Sequence, residues 1–166
     1  MEDDLRDIVD AAGRRPEALA AVRDLHERAM AEVARIGPRC DLSGRCCRFD
    51  TYGHRLYATT LELALFAGDL RGSGAGGGSV PPSDPGGCPF QRGALCGVHP
   101  IRPLGCRMFF CDPSAGPALE AVFERLHGEM KKLHDELGVP YRYVEWREAL
   151  RALGLGPVWS DRPPIE

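Results

Sequence analysis

The sequence predicts an α+β protein that is predominantly helical, its helices packed around an irregular cysteine-rich metal-binding centre with at most a small β-hairpin. Three observations predict this. Apolar residues recur every three or four positions in two long segments near the ends of the chain, the spacing of one helical face. All seven cysteines lie between residues 36 and 111. Gly (20) and Pro (14) are frequent enough to demand irregular stretches, yet short of the low-complexity range. A length of 166 residues fits a single domain. Leu, Ile, Val and Phe make up about 22% of it, just above the level below which chains fail to bury a core, so a modest core is expected.

Taken in order, an N-terminal helical part spans residues 4–36. A short helix covers Asp4 to Ala12 before Gly13, and a longer one covers Pro16 to Ile36, with Leu19, Val22, Leu25, Ala29, Val33 and Ile36 on one face. Pro16 suits its first turn and Gly37-Pro38 ends it. Thr59 and Glu62 have capping-box spacing ahead of Leu61, Ala64 and Leu65, so another short helix begins near residue 60. Residues 68–87 are rich in Gly, Ser and Pro without periodicity and read as a mobile loop. A small hairpin is expected from Phe90 to Val98, turned at Arg92-Gly93. C-terminal helices fill residues 117–155. Leu119, Val122, Phe123, Leu126, Met130, Leu133 and Leu137 stripe the first, which stops at Gly138-Val139-Pro140. Tyr143, Trp146, Leu150 and Leu153 stripe the second.

Charge follows the same partition. Residues 1–35 and 112–166 each carry −3 and residues 36–111 carry +3, for a net −3. So small a charge gives no support for indiscriminate binding to nucleic acid. No apolar run approaches the roughly 18 residues of a membrane span. The acidic start, Met1-Glu2-Asp3-Asp4, is unlike a secretion signal, so a cytoplasmic location is expected. In a reducing compartment seven thiols are poorly explained as disulfides, and metal or redox chemistry becomes the leading explanation.

The cysteines run Cys40, five residues, Cys46-Cys47, forty residues, Cys88, seven residues, Cys96, nine residues, Cys106, four residues, Cys111. Thiolate is a soft ligand that suits zinc, copper(I) or iron–sulfur clusters, each wanting about four donors from short, bendable segments. Gly44, Gly93, Gly97 and Gly105 would let the backbone turn beside the cysteines. Arg39, Arg45, Arg48, Arg92, Arg102 and Arg107 would offset the charge of gathered thiolates.

The strings Cys40-Asp41-Leu42-Ser43-Gly44-Arg45-Cys46-Cys47, Cys88-Pro89-Phe90 and Cys96-Gly97-Val98-His99-Pro100-Ile101-Arg102-Pro103-Leu104-Gly105-Cys106-Arg107-Met108-Phe109-Phe110-Cys111 resemble the YkgJ-type CxxCxxCC family of zinc- or iron-chelating domains. The similarity covers about residues 39 to 112 and is most specific in the RPxxCR core. The resemblance implies that Cys40, Cys46, Cys47, Cys88, Cys96, Cys106 and Cys111 are metal ligands. Ser43 stands where the family has a second cysteine, and a hydroxyl is a poor substitute for thiolate at neutral pH. His99 stands where the family often has tyrosine.

Thiols plus His99 supply enough donors for two tetrahedral zinc sites, while Cys106 and Cys111 give the C-x4-C element of one ferredoxin type without its accompanying C-x2-C. One metal centre is expected, an iron–sulfur cluster in preference to zinc. His99 reads better as a turn residue before Pro100 than as a ligand. His127 and His134 are expected to flank the apolar stripe and face solvent, Lys131-Lys132 to be solvated, and Phe123 and Trp146 to be core. No nucleophile elbow or dinucleotide fingerprint is present, and Gly74 to Gly78 lacks the lysine of a phosphate loop. The leading expectation is therefore a metal-binding cysteine-cluster protein. Two alternatives stand beside it. One is an iron–sulfur-dependent methyl- or sulfur-transfer enzyme resembling the cysteine domain of flagellin lysine N-methylases, with an unligated thiol such as Cys47 as nucleophile. The other is a zinc-linked thiol redox switch.

Overall fold

A computed structural model describes residues 2–73 and 86–156. Helix α1 (Glu2–Gly13) leads into α2 (Pro16–Ile36), which turns Ala18, Val22, Leu25, Ala29 and Val33 inward. Pro16 occupies the first turn, where a missing N–H costs nothing. Gly37, left-handed at φ 64°, ends the helix by donating its N–H to the Val33 carbonyl at 2.8 Å. A 3-10 turn at Arg45–Cys47 and helix α3 (Phe49–Tyr52) follow, then strand β1 (Tyr57–Thr59).

Helix α4 (Thr60–Ser73) is the axis of the fold. Its residues from Thr60 through Ala67 are all buried, as expected of a helix that is apolar on every side. Helices α1 and α2 pack against it, and α2 also packs against α6 (Gly116–Leu137). The expected loop at 68–87 is thereby corrected at its start, because residues 68–73 continue the helix, with Leu70 buried in the core. Residues 74–85 of it, which include Gly74 to Gly78, lie outside the described residues, and 86–87 form a turn leading into Cys88.

The hairpin is β2 (Gln91–Arg92) against β3 (Leu95–Cys96), so its turn centres on Gly93-Ala94, one residue later than expected. Beyond it come a 3-10 turn at His99–Ile101, helix α5 (Leu104–Arg107), another 3-10 turn at Pro113–Ala115, and α6. A second sheet went unanticipated. Strand β4 (Tyr143–Glu145) pairs antiparallel with β1, Thr59 opposite Tyr143 and Tyr57 opposite Glu145. Tyr143 therefore belongs to a strand, and the final helix α7 (Trp146–Leu153) begins three residues later. The protein is mostly helical with two small antiparallel sheets. No helix among the described residues is long and apolar enough to cross a membrane.

His134 is corrected from solvent to core. It has no exposed surface, because it falls four residues after Met130, itself four after Leu126, and so returns to the apolar stripe. Its Nδ1 donates to the Met130 carbonyl at 2.8 Å, which leaves Nε2 to accept the Leu61 N–H at 3.3 Å. Thr60 Oγ1, 2.9 Å from Nε2, donates to the Pro140 carbonyl at 2.7 Å. His127 is half-buried and meets the Tyr141 hydroxyl at 3.0 Å. Burial lowers the pKa of both histidines, and most of the lowering in His99 has the same cause.

Such residues are neutral in the fold and protonate more readily once the chain unfolds. Their stabilisation is complete above the ordinary histidine value of 6.5 and is lost as pH falls below it. Urea midpoints measured from pH 7.5 downward are expected to decline through about pH 6. The decline should flatten in His134→Gln, which has nothing to titrate. A wild-type midpoint independent of pH in that window would contradict the assignment.

Candidate metal centre

Three chain segments converge on the sulfur atoms. Gly44 is left-handed at φ 73°, and a Cβ there would stand 2.5 Å from Gln91 Nε2 and 3.1 Å from Ala94 Cα, so only glycine allows the turn to lie against the hairpin. Gln91 Nε2 fastens it by donating to the Gly44 carbonyl at 3.1 Å. The turn then closes through the Cys47 N–H on the same carbonyl at 3.1 Å, which presents Cys46 and Cys47. The Cys88 N–H donates to the Cys47 carbonyl at 2.7 Å, tying the second segment to the first. Cys96 sits on β3 directly opposite Gln91. Cys106 is brought in by α5, whose Leu104 N–H is held by the Glu62 carboxylate at 2.7 Å.

The result is a group of five thiols: Cys46, Cys88 and Cys96 adjoin Cys47, and Cys106 feels the charge of Cys46, Cys88 and Cys96 without adjoining Cys47. Cys46 and Cys47 have their sulfurs 4.0 Å apart. Cys46 first, then Cys88 and Cys96, push the buried Cys47 thiol far up, because hydrogen bonding among the clustered thiols favours its protonated form. The reciprocal effect brings Cys46 down to about 6 and Cys96 to about 7, and it lowers Cys88. Burial raises Cys106, and negative charge on Cys88 and Cys96 raises it further.

Cys40 is exposed, and Cys111 pairs with Ser43, Oγ to Sγ 3.4 Å, instead of joining the five. Ser43 faces a thiol from the position where the family resemblance places a cysteine. His99 is exposed and contributes its backbone carbonyl to Arg102 Nε at 2.8 Å.

Of the arginines expected to balance the sulfurs, Arg102 does so, its charge lowering Cys46 and Cys96 and opposing the rise in Cys106. Four others are engaged elsewhere. Arg39 pairs with Asp41, and Arg45 lies over the Tyr52 ring at 4.7 Å. Arg92 binds the Pro89 and Gln91 carbonyls, and Arg107 binds those of Arg102 and Pro100.

Two residues at the site were missed in the sequence. Trp146 Nε1 points at Cys88 Sγ at 3.4 Å, and His54 Nε2 meets the Cys46 carbonyl at 3.1 Å while its ring stacks on Phe109 with centroids 4.8 Å apart. No spacing signal marks either, since each reaches the cysteines only through the tertiary fold. Gln91 Oε1 is buried and without a hydrogen-bond partner.

The donor set has the softness that zinc or iron–sulfur chemistry requires, with an indole N–H directed at one sulfur as second-sphere support. As the side chains stand, however, no three His, Cys, Asp or Glu residues among those described are arranged to hold a metal ion. Compared with protein-family models, with curated proteins and with solved structures, the chain matches none.

Proposed function

We propose that this chain binds a thiophilic metal, as an iron–sulfur cluster or as zinc, through thiolates drawn from Cys46, Cys47, Cys88, Cys96 and Cys106. The observation that supports it is the gathering of Cys46, Cys88 and Cys96 around the buried Cys47, with Cys106 within reach of their charge. Isolated buried cysteines behave as small apolar side chains and have no reason to share a site. The resemblance of the cysteine spacing to the YkgJ-type family supports the same reading. Loading would require the thiols to shed their protons and the sulfurs to draw in. Cys40 and Cys111 are not needed as ligands.

Anaerobic purification, followed by elemental analysis and visible absorption, tests the proposal. Bound iron with sulfide and broad charge-transfer absorption identifies a cluster; stoichiometric zinc in a colourless sample identifies the other form. Cys47→Ser is expected to abolish retention and Cys40→Ser to preserve it. Bound metal ligates the folded state alone, so stripping it with a chelator is expected to lower the melting temperature. Protein that takes up neither iron nor zinc after anaerobic reconstitution, with its thiols free to alkylation, would overturn the proposal.

A further inference from the structure

An open cleft of about 400 Å³ is lined by Cys46 and Cys106 together with Arg55 and Tyr57. That volume falls within the range of small-molecule sites, about 300–1,000 Å³. Its walls are rings from separate elements. Phe109 and Phe110 follow α5, Phe123 belongs to α6, and Tyr57 and Tyr143 come from the β1–β4 pair with centroids 5.2 Å apart. These walls are preset rather than loose: Phe109 stacks on His54, itself bonded to the Cys46 carbonyl, and the tyrosines stand on paired strands.

Arg55 supplies the charge. It is exposed, lines this cleft and the neighbouring hollow bordered by Glu148, and forms no ion pair among the described residues. Of the two acids lining that hollow, Glu145 is already held by Arg147 at 2.9 Å. The single acid in the cleft lining is Glu120, on α6. A free guanidinium at the mouth of an aromatic slot suits a ligand with a flat apolar body and one carboxylate, which the planar fork receives through two N–H groups.

We propose that this cleft binds a small ring-bearing carboxylate, its ring between the phenylalanine and tyrosine walls, its carboxylate on Arg55 and its inner end against Cys46 and Cys106. The proposal deepens the metal reading to the extent that the inner end would then meet the metal centre; binding in the cleft does not itself require the metal.

The test uses the full chain, metal-loaded and metal-free, with naphthalene-2-carboxylate as probe and 2-naphthalenemethanol as its neutral counterpart. Calorimetric titration and proton–nitrogen correlation spectra read affinity and location. The expected result is saturable one-to-one binding of the carboxylate, with shifts centred on residues 54–57 and 109–110. Arg55→Gln, at an exposed position that leaves the core untouched, is expected to weaken the carboxylate about tenfold while leaving the alcohol unchanged. The proposal falls if the carboxylate shows no saturation in either form of the protein. It falls equally if the shifts map elsewhere, or if Arg55→Gln affects both probes alike or neither. Probe binding in protein that never takes up metal would overturn the proposed function and leave the cleft standing. Metal uptake without probe binding would overturn the cleft alone.

Discussion

Glu62→Ala is expected to lower stability by about 3–5 kcal/mol, the scale of a buried charge network broken by removing one partner. Folded domains hold only about 5–15 kcal/mol in total, so this variant should lose a large share of its stability. The carboxylate is 4% exposed and serves four donors. The Thr59 N–H (2.9 Å) and hydroxyl (3.1 Å) meet Oε2, while the Leu104 N–H (2.7 Å) and His26 Nε2 (3.4 Å) meet Oε1. Burial alone would push its pKa up, but the His26 contact and the backbone N–H groups of Thr59 and Leu104 outweigh it and hold the group ionised. Alanine would leave all four donors buried without an acceptor. Glu62→Gln keeps the volume but turns one oxygen into a donor facing donors, so it should fall between alanine and wild type. Urea unfolding measures both, and an alanine variant within about 1 kcal/mol of wild type would show that the network is not what joins these elements. Leu104 opens the helix that carries Cys106, so the Cys106 thiol should also become open to alkylation in Glu62→Gln while the chain remains folded.

Half of that network was legible in the sequence and half was not, and the division is physical. The Thr59–Glu62 box is local chemistry, a side chain answering a backbone N–H three residues away, and its spacing gives it away. His26 and Leu104 reach the same carboxylate from distant parts of the chain, and nothing in residue spacing encodes that. The long helices were readable for the same local reasons: Pro16, Gly37 and Gly138 occupy the ends where fixed or left-handed φ is wanted. The β1–β4 pair was not readable, because strands of three residues are too short to show alternation. Tyr143 moreover keeps helical spacing with Trp146 and Leu150, so its strand was read as an early turn of α7.

The cysteines show a similar split. Their number, their clustering in the middle of the chain and the glycines beside them point to one shared site, and the fold brings Cys46, Cys88 and Cys96 beside Cys47. Which of the seven meet there was beyond the spacing. Neighbours on an extended strand point apart, which would send the two sulfurs of the Cys46-Cys47 doublet in different directions. A 3-10 turn puts both sulfurs on one side instead, 4.0 Å from each other. Cys40 lies outside because it precedes that turn on an exposed stretch, and Cys111 because Ser43 engages it.

Trp146 is where core and sulfur centre meet, and two substitutions there separate the roles. Trp146→Ala is expected to cost about 3–5 kcal/mol, as for other fully buried aromatic rings. The ring is 1% exposed, meets Phe66 edge-on at 4.8 Å, and follows directly on β4, with its own N–H donating to the Leu56 carbonyl at 2.8 Å. Removing it empties the space between α4 and α7. Trp146→Phe keeps an aromatic ring against Phe66 and deletes the Nε1–H that donates to Cys88 Sγ at 3.4 Å. A donor aimed at sulfur favours the thiolate and lowers Cys88, after the larger effect of Cys47. In a metal-loaded protein the same N–H would act as a second-sphere contact, whose loss typically costs about 10–100-fold in affinity. Trp146→Phe is therefore expected to remain folded, with unchanged helical circular dichroism, yet to release metal to a chromophoric chelator at least about tenfold more readily than wild type. If it loses stability but competes with the chelator as well as wild type does, Trp146 serves the core alone and Cys88 does not ligate the metal.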